Sequence, residues 1–384
     1  MTKAEASRYL GAFFLSAMLV AVFCFALGVF ADPYRMFGSE RFLPSPPIKP
    51  RISQQGMLAK TYMVRRTPMN TVILGNSRVE IGIDPASRMW PAAARPVFNG
   101  GLAGHDLAGT LTLFRDVVMS QSPKFMILGV DFQDFIGPGQ TLPASIATDI
   151  NRTEPRTKIR TIIDSMTATM TLDAVADSVM TLMNQDARYG DTMQADGFNP
   201  QRSYRRENLT TLFNQKLAEY KRSYSRYRPS GFSAPAKNAE FLYLSAILNI
   251  CDEHHIRCTL FIYPYHAEYL EMLHELGLWG SFESWKRALA GFVETNHPDV
   301  QLIDFSGYNE ITTEPLPAPG ASMKFYWEPG HFKAALGDLI VARLFYRTSN
   351  DVLLTSATVD ADISAIREQR QIFLHNHPAP ESGR

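Results

Sequence analysis

Cysteine is scarce, with three residues in 384, at positions 24, 251 and 258. So few exclude a disulfide-built scaffold, and their spacing is not that of a zinc site. His254 and His255 do not repair this, because no nearby residues complete a tetrahedral set, and they read as the polar end of a helix. Cys251 and Cys258 either pair across a helix-to-strand turn in an oxidising compartment or remain two buried thiols. Net charge is lacking as well: 38 basic side chains balance 38 acidic ones, which excludes an overall polybasic binder but leaves room for a local patch. No glycine-rich run ends in Lys and Ser or Thr, so there is no P-loop, and the Gly-x-Ser-x-Gly elbow is missing. Only one long apolar run exists, which excludes both a plain cytosolic globule and a multi-span transporter.

That run is Tyr9 to Ala31, 23 residues without a charge. At ~1.5 Å per residue a helix there spans about 35 Å, enough for a ~30 Å hydrocarbon core. Lys3, Glu5 and Arg8 precede it and Asp32-Pro33 follow. The slightly basic leader, the large downstream region and the lack of a second apolar run favour a retained anchor. The expected organisation is a cytoplasmic leader over 1–8, a transmembrane anchor over 9–31, and a domain facing the periplasm or exterior of a cytoplasmic (inner) membrane. The competing readings are a cleaved signal peptide, with Val29-Phe30-Ala31 at the cleavage site, and a buried soluble helix.

Residues 32–70, with Pro44, Pro46, Pro47 and Pro50, read as an extended juxtamembrane linker. Apolar strands then recur at 71–75, 96–99, 125–130, 259–263 and 300–304, with helices near 106–119, 239–254, 267–295 and 332–346 between and after them. Strand, glycine turn, helix, strand is the rhythm of an α/β fold with a parallel sheet covered by helices, here a domain over 71–346. Residues 137–231 differ, with few strand signals and several helical runs, and read as a helical insertion. Within 201–230, eight basic residues face two acids, a local +6. This is either a solvated helix face or the edge of a cleft for an anionic glycan or headgroup. No aromatic interleaving points to nucleic acid. Residues 347–384 read as a C-terminal extension with a loose tail from His377.

In an open parallel sheet the crevice lies beyond the C-terminal strand ends. Ser77 follows the first strand and a glycine, where a hydroxyl at a helix N-terminus has backbone N–H groups nearby for an oxyanion; a turn or cap serine is the other reading. Glu328 and His331 stand three apart at a helix entrance, close enough for the carboxylate to orient the imidazole. Their meeting with Ser77 follows from the fold reading, which puts the first strand end and the last helix start on one sheet edge. His266, after a core strand, reads as a satisfied structural histidine, a substrate contact or an alternative base. Arg78 either holds an anionic substrate group or pairs with Glu80 or Asp84. His105 and Asp106 read as helix-start polar groups, and Asp304 as a strand-end cap or cleft residue.

These blocks resemble the SGNH/GDSL hydrolase superfamily, whose members are three-layer α/β/α esterases and acyltransferases. The resemblance covers roughly 70–135 and 240–346. It implies a mostly parallel, flavodoxin-like sheet and a nucleophile in a Gly-Asp-Ser motif, matched here by Gly75-Asn76-Ser77 with asparagine for aspartate. In Asn99-Gly-Gly-Leu-Ala-Gly104 it implies an oxyanion-hole glycine, Gly104 fitting better than Gly100 or Gly101, and Asn99 is taken with the strand-end substrate contacts. Gly129-Val130-Asp131 replaces Gly-x-Asn, so Asp131 stands where an oxyanion-donating asparagine is expected. An ionised carboxylate cannot donate, so either the hole is built from backbone N–H groups alone, or Asp131 is protonated and joins it, or Asp131 is merely structural. Glu328-Pro-Gly-His331 keeps the Asp-x-x-His spacing with a longer acid.

The resemblance implies a Ser77–His331–Glu328 acyl-enzyme mechanism with no metal or organic cofactor. The overall plan is similar to membrane-anchored members akin to alginate acetylation proteins and the teichoic acid D-alanylation protein. That similarity implies an acyl donor, an anionic glycan acceptor and a multi-span membrane acyltransferase as partners. The alternatives are a simple carboxylesterase and a non-catalytic assembly or glycan-binding protein on a degenerate hydrolase fold. The departures at Asn76, Asp131 and Glu328 support the last.

Overall fold

The computed structural model describes residues 2–136, 167–186, 193–227, 232, 235, 238–317, 321–346 and 353–377. The first helix, α1 (Lys3–Ala31), is capped by Thr2 and Glu5 in a reciprocal capping box and is long and apolar enough to cross a membrane. A short helix α2 (Gly56–Met63) precedes β1 (Thr71–Asn76) and α3 (Ser77–Gly82). Then come β2 (Val97–Leu102), α4 (Leu107–Ser120), β3 (Phe125–Val130) and α5 (Phe132–Ile136). The described part of the insertion holds α6 (Leu172–Met183) and α7 (Leu209–Tyr224). The second half contributes α8 (Ala239–Glu253), β4 (Arg257–Ile262), α9 (Ala267–Glu275), α10 (Trp279–Asn296) and β5 (Gln301–Asp304). A hairpin of β6 (Tyr326–Glu328) and β7 (His331–Phe332) leads into α11 (Ala334–Phe345), and α12 (Val359–Asn376) comes last.

The strands form one five-stranded parallel sheet in the order β2-β1-β3-β4-β5. This is the flavodoxin-like order, with α4 and α8 packed together over the sheet and α11 packed on α3. All six residues of β1 are buried, as a central strand covered on both faces requires, which is why it reads as a continuous apolar run rather than an alternation. The chain leaves β1 for β2 on one side and returns to β3 on the other. The end of β1 is therefore the topological switch point, where α/β sheets open a crevice. Cys251 and Cys258 are joined in a disulfide between the end of α8 and β4.

One expectation needs correction. Residues 32–70 are not an extended linker. Asp32 closes α1 in a left-handed conformation and accepts the N–H groups of Phe37 and Ser39. Lys49, fully buried, donates to the terminal Ala31 carbonyl at 2.6 Å, so a cation meets the negative end of the helix dipole. The segment folds back against the end of α1 instead of extending away from it. In the C-terminal extension, Val359, Ile363 and Ile366 of α12 are buried and the helix packs on α10. The tail beyond 377, and residues 137–166 of the insertion, lie outside the described residues.

Candidate active site

Ser77 begins α3 directly after β1. Gly75 makes this turn possible: its φ is 144°, a conformation L side chains rarely adopt, and a Cβ there would meet the Tyr263 hydroxyl at 2.5 Å. Asn76 caps α3 by accepting the Arg78 N–H at 3.0 Å, leaving the Ser77 side chain at the helix start. Its hydroxyl lies 2.7 Å from His331 Nε2, across 254 residues of sequence. Glu328 Oε1 contacts His331 Nδ1, and Oε2 accepts the Gly330 N–H at 2.9 Å. An ionised Glu328 on Nδ1 fixes the proton there and leaves Nε2 as the acceptor facing the serine.

Glu328 is completely buried, which opposes its charge, yet His331, the Gly330 N–H and Arg78 together hold its carboxyl below the usual carboxylate range. Glu328 and His331 do not sit at a helix entrance as expected. They face each other across the β6–β7 hairpin, paired at Glu328 and His331, with His331 two residues before Lys333, the cap of α11. The spacing argument survives because a tight hairpin also brings residues i and i+3 together.

The remaining candidates have different fates. Gly104 lies in the turn after β2 at φ 73°, on the strand edge that carries Ser77, while Gly100 and Gly101 lie inside β2. Glu80 fixes that turn by accepting the Ala103 N–H at 3.1 Å. Behind it the Lys60 ammonium donates to the Gly101 carbonyl and stands 3.8 Å from Glu80. Burial pushes Lys60 down to about 8, partly offset by Glu80.

Asp131 is an acceptor throughout. It receives Asn76 Nδ2 at 2.7 Å, Tyr265 Oη at 2.9 Å, the Gln133 N–H at 3.2 Å and the Arg78 guanidinium. That set leaves it no proton to give an oxyanion. Arg78 pairs with Asp131, not with Glu80 or Asp84, and its guanidinium is turned inward, 5.4–5.5 Å from the ring centres of Tyr263, Tyr265 and Tyr269. Burial opposes the Arg78 charge, but Asp131 overrides it and holds the guanidinium protonated.

Asn99 and His266 are also enclosed. Asn99 is fully buried and donates to the carbonyls of Val79 and Ile83 at 2.8 and 2.7 Å, closing the end of α3. His266 caps α9 through Nδ1, its Nε2 donates to the Glu314 carbonyl at 2.8 Å, and its ring lies between Phe213 and Tyr326. Burial pushes His266 down to about 4, so it is neutral near pH 7 and structural. Asp106 caps α4, accepting the Gly109 N–H, and Asp304 caps its strand end by accepting the Ser306 N–H.

Sequence reasoning missed Tyr220 of α7. Its hydroxyl lies 3.4 Å from both Glu328 oxygens and from His331 Nδ1, covering the acid from the insertion side. Burial first, and then the Glu328 charge, push this phenol well above its ordinary range, so it stays protonated as a donor. The signal was available: Tyr220, Tyr224 and Tyr227 repeat at helical spacing, and Tyr224 meets Tyr269 and Gln133, each at 2.6 Å. Elsewhere in the insertion, Lys216 and Lys221 pair with Glu219 and Glu275, so part of its positive charge is neutralised locally.

Among the described residues no cluster of His, Cys, Asp or Glu could hold a metal ion. Compared with known proteins, the chain matches no family model and no curated sequence, so its functional reading rests on fold and geometry.

Proposed function

We propose that this chain is a membrane-anchored serine esterase or O-acyltransferase of SGNH/GDSL type, working through an acyl-enzyme. The observation that carries the reading is the 2.7 Å contact between Ser77 Oγ and His331 Nε2, with Glu328 on the far ring nitrogen. Ser77 attacks an ester carbonyl while His331 takes its proton. His331 then returns the proton to the leaving alcohol, and Glu328 holds the imidazole in the required tautomer and stabilises its charged form. The N–H groups of Ser77 and Gly104 are the oxyanion donors in this reading, and Asp131 has no part in it. Water or a sugar hydroxyl then takes the acyl group from Ser77.

Transfer onto an extracytoplasmic, anionic glycan is the finer reading, with residues 9–31 as the anchor, the domain on the periplasmic or exterior side, and a multi-span acyltransferase as donor partner. It is supported by the apolar N-terminal helix and the basic stretch 201–230. A non-catalytic scaffold is disfavoured, because two of the departures that suggested decay, Asn76 and Asp131, are hydrogen-bonded to each other and the third, Glu328, engages His331.

A fluorophosphonate probe on the full-length protein should label Ser77, and Ser77→Ala should abolish labelling and lower ester turnover at least ~10³-fold. Unchanged turnover in Ser77→Ala would end the proposal. Product analysis with an acyl donor and a glycan then separates transfer from hydrolysis, since only free acid would mark a hydrolase.

A further inference from the structure

Two stretches far apart in sequence come back to the last turns of α1. The first is 34–43: Phe37 stacks edge-on against Phe25 of α1, with ring centres 6.0 Å apart, and Ser39 Oγ donates to the Val29 carbonyl. The second is the turn before α6, where Thr169 packs against Gly28. Phe25 and Gly28 lie six and three residues before Ala31, roughly 9 and 4–5 Å short of the helix end. Both stretches therefore stand level with apolar residues of the membrane helix, not beyond it.

These stretches turn a group of large apolar side chains outward, beside the exposed charges of Glu40, Arg41 and Asp173. Phe42 is 64% exposed, Leu172 is 89% exposed, and Leu43, Met170 and Phe30 of α1 are exposed beside them. Helix α6 has the same inversion along its length. Its small residues Ala174, Ser178 and Thr181 are buried, while Leu172, Ala176, Val179 and Met183, at i, i+4, i+7 and i+11, form an outward stripe. A helix on a water-facing surface puts large apolar side chains inward. Each such side chain left in water forgoes ~1.5–3 kcal/mol of burial. Arg41, exposed next to Phe42, is a cation of the kind that pairs with lipid phosphates.

We propose that this collar, Phe42, Leu43, Met170 and Leu172 around the end of α1, is seated in the domain-side leaflet of the bilayer that α1 crosses. Continuity with the lipid-facing surface of α1 selects lipid as the occupant. The inference rests on α1 lying in a bilayer, and the experiment carries its own control for that.

Full-length protein with Cys24→Ser is reconstituted in vesicles of phosphatidylethanolamine and phosphatidylglycerol. A fluorophore is attached to single cysteines introduced as Phe42→Cys or Leu172→Cys, with Phe14→Cys on α1 as the lipid reference and Ile372→Cys on α12 as the water reference. Each labelled chain is first checked for an unshifted thermal transition. Nitroxide-bearing lipid should quench the labels at 42, 172 and 14 several-fold more than the label at 372, and aqueous iodide should do the reverse. If 14 reports lipid while 42 and 172 follow 372, the domain stands clear of the surface and the collar is wrong. If 42 and 172 are shielded from both quenchers, protein covers them, a second copy of this chain, and lipid is the wrong occupant. If 14 itself reports water, the anchor reading fails with it.

Discussion

Asn76 and Asp131 each depart from the pattern the motifs resemble, and the two departures meet in one hydrogen bond of 2.7 Å. The resembled pattern has aspartate first and asparagine second; here the amide and the carboxylate have exchanged places. Asn76 can donate to Asp131 with one end and cap α3 with the other, which an aspartate beside Asp131 could not do without setting two carboxylates together. Asn76→Asp should therefore cost about 1–3 kcal/mol in denaturant unfolding of the detergent-solubilised protein. Asp131→Asn strands the buried Arg78 and should cost about 3–5 kcal/mol. The double exchange should cost less than the sum, and strict additivity would show that the two positions are not coupled. The candidate site residues were legible because Gly-x-Ser after a strand and Glu-x-x-His are local patterns. The inward turn of Arg78 was not, since its partner lies 53 residues away.

The hairpin that carries Glu328 and His331 is short and depends on its neighbours. The start of α9 holds it from one side, through the His266 N–H to the Pro329 carbonyl at 3.4 Å and Tyr326 Oη to the Pro264 carbonyl at 2.9 Å. Helix α7 closes the other side so tightly that a Cβ on Gly330 would lie 2.4 Å from the Tyr220 hydroxyl. Gly330→Ala should then lower probe labelling of Ser77 by about 10-fold or more, the scale of a displaced catalytic group, and Tyr220→Ala in the same chain should restore part of it. No rescue would mean that Tyr220 is not the obstacle.

The capping histidine gives this junction a pH signature. His266 binds its proton at about 4 in the folded chain against an ordinary 6.5, so between those values the unfolded state takes up more protons. Stability from this group is complete above pH 6.5 and falls by roughly 3 kcal/mol as pH drops to about 4. His266→Asn keeps an N-cap acceptor and should flatten that part of the profile in thermal melts from pH 7 to 4, while lowering stability at pH 7. An unchanged slope would locate the acid sensitivity elsewhere. At this scale the sheet was legible because its strands are unbroken apolar runs. Residues 32–70 misled because proline marks a bend as readily as an extension.

Across the whole molecule, α12 shows which forces hold the periphery. Its ion pairs look substantial: Arg370 meets Glu271 with two contacts of 2.8 Å, and Tyr308 shares that carboxylate. Such partly exposed pairs are worth ~0–1 kcal/mol, whereas truncating a buried aliphatic costs ~2–5 kcal/mol. Ile363→Ala should accordingly lower the melting temperature several-fold more than Arg370→Ala; the opposite ranking would make α12 an electrostatic clamp. The helix escaped the sequence reading because its three buried apolar residues are diluted among charges.

The Ser77–His331 pair joins the first strand to the last hairpin. Ser77 and His331 are separated by 254 residues, which at ~5–20 residues per second is about 13–50 s of synthesis. During that interval the emerging chain carries Ser77 without the His331 imidazole beside it. The contact forms only after residue 331 has been made and folded against β1, so under the proposed mechanism an immature chain has no base with which to activate Ser77. Under the proposed function, synthesis of the last hairpin is itself the activating step.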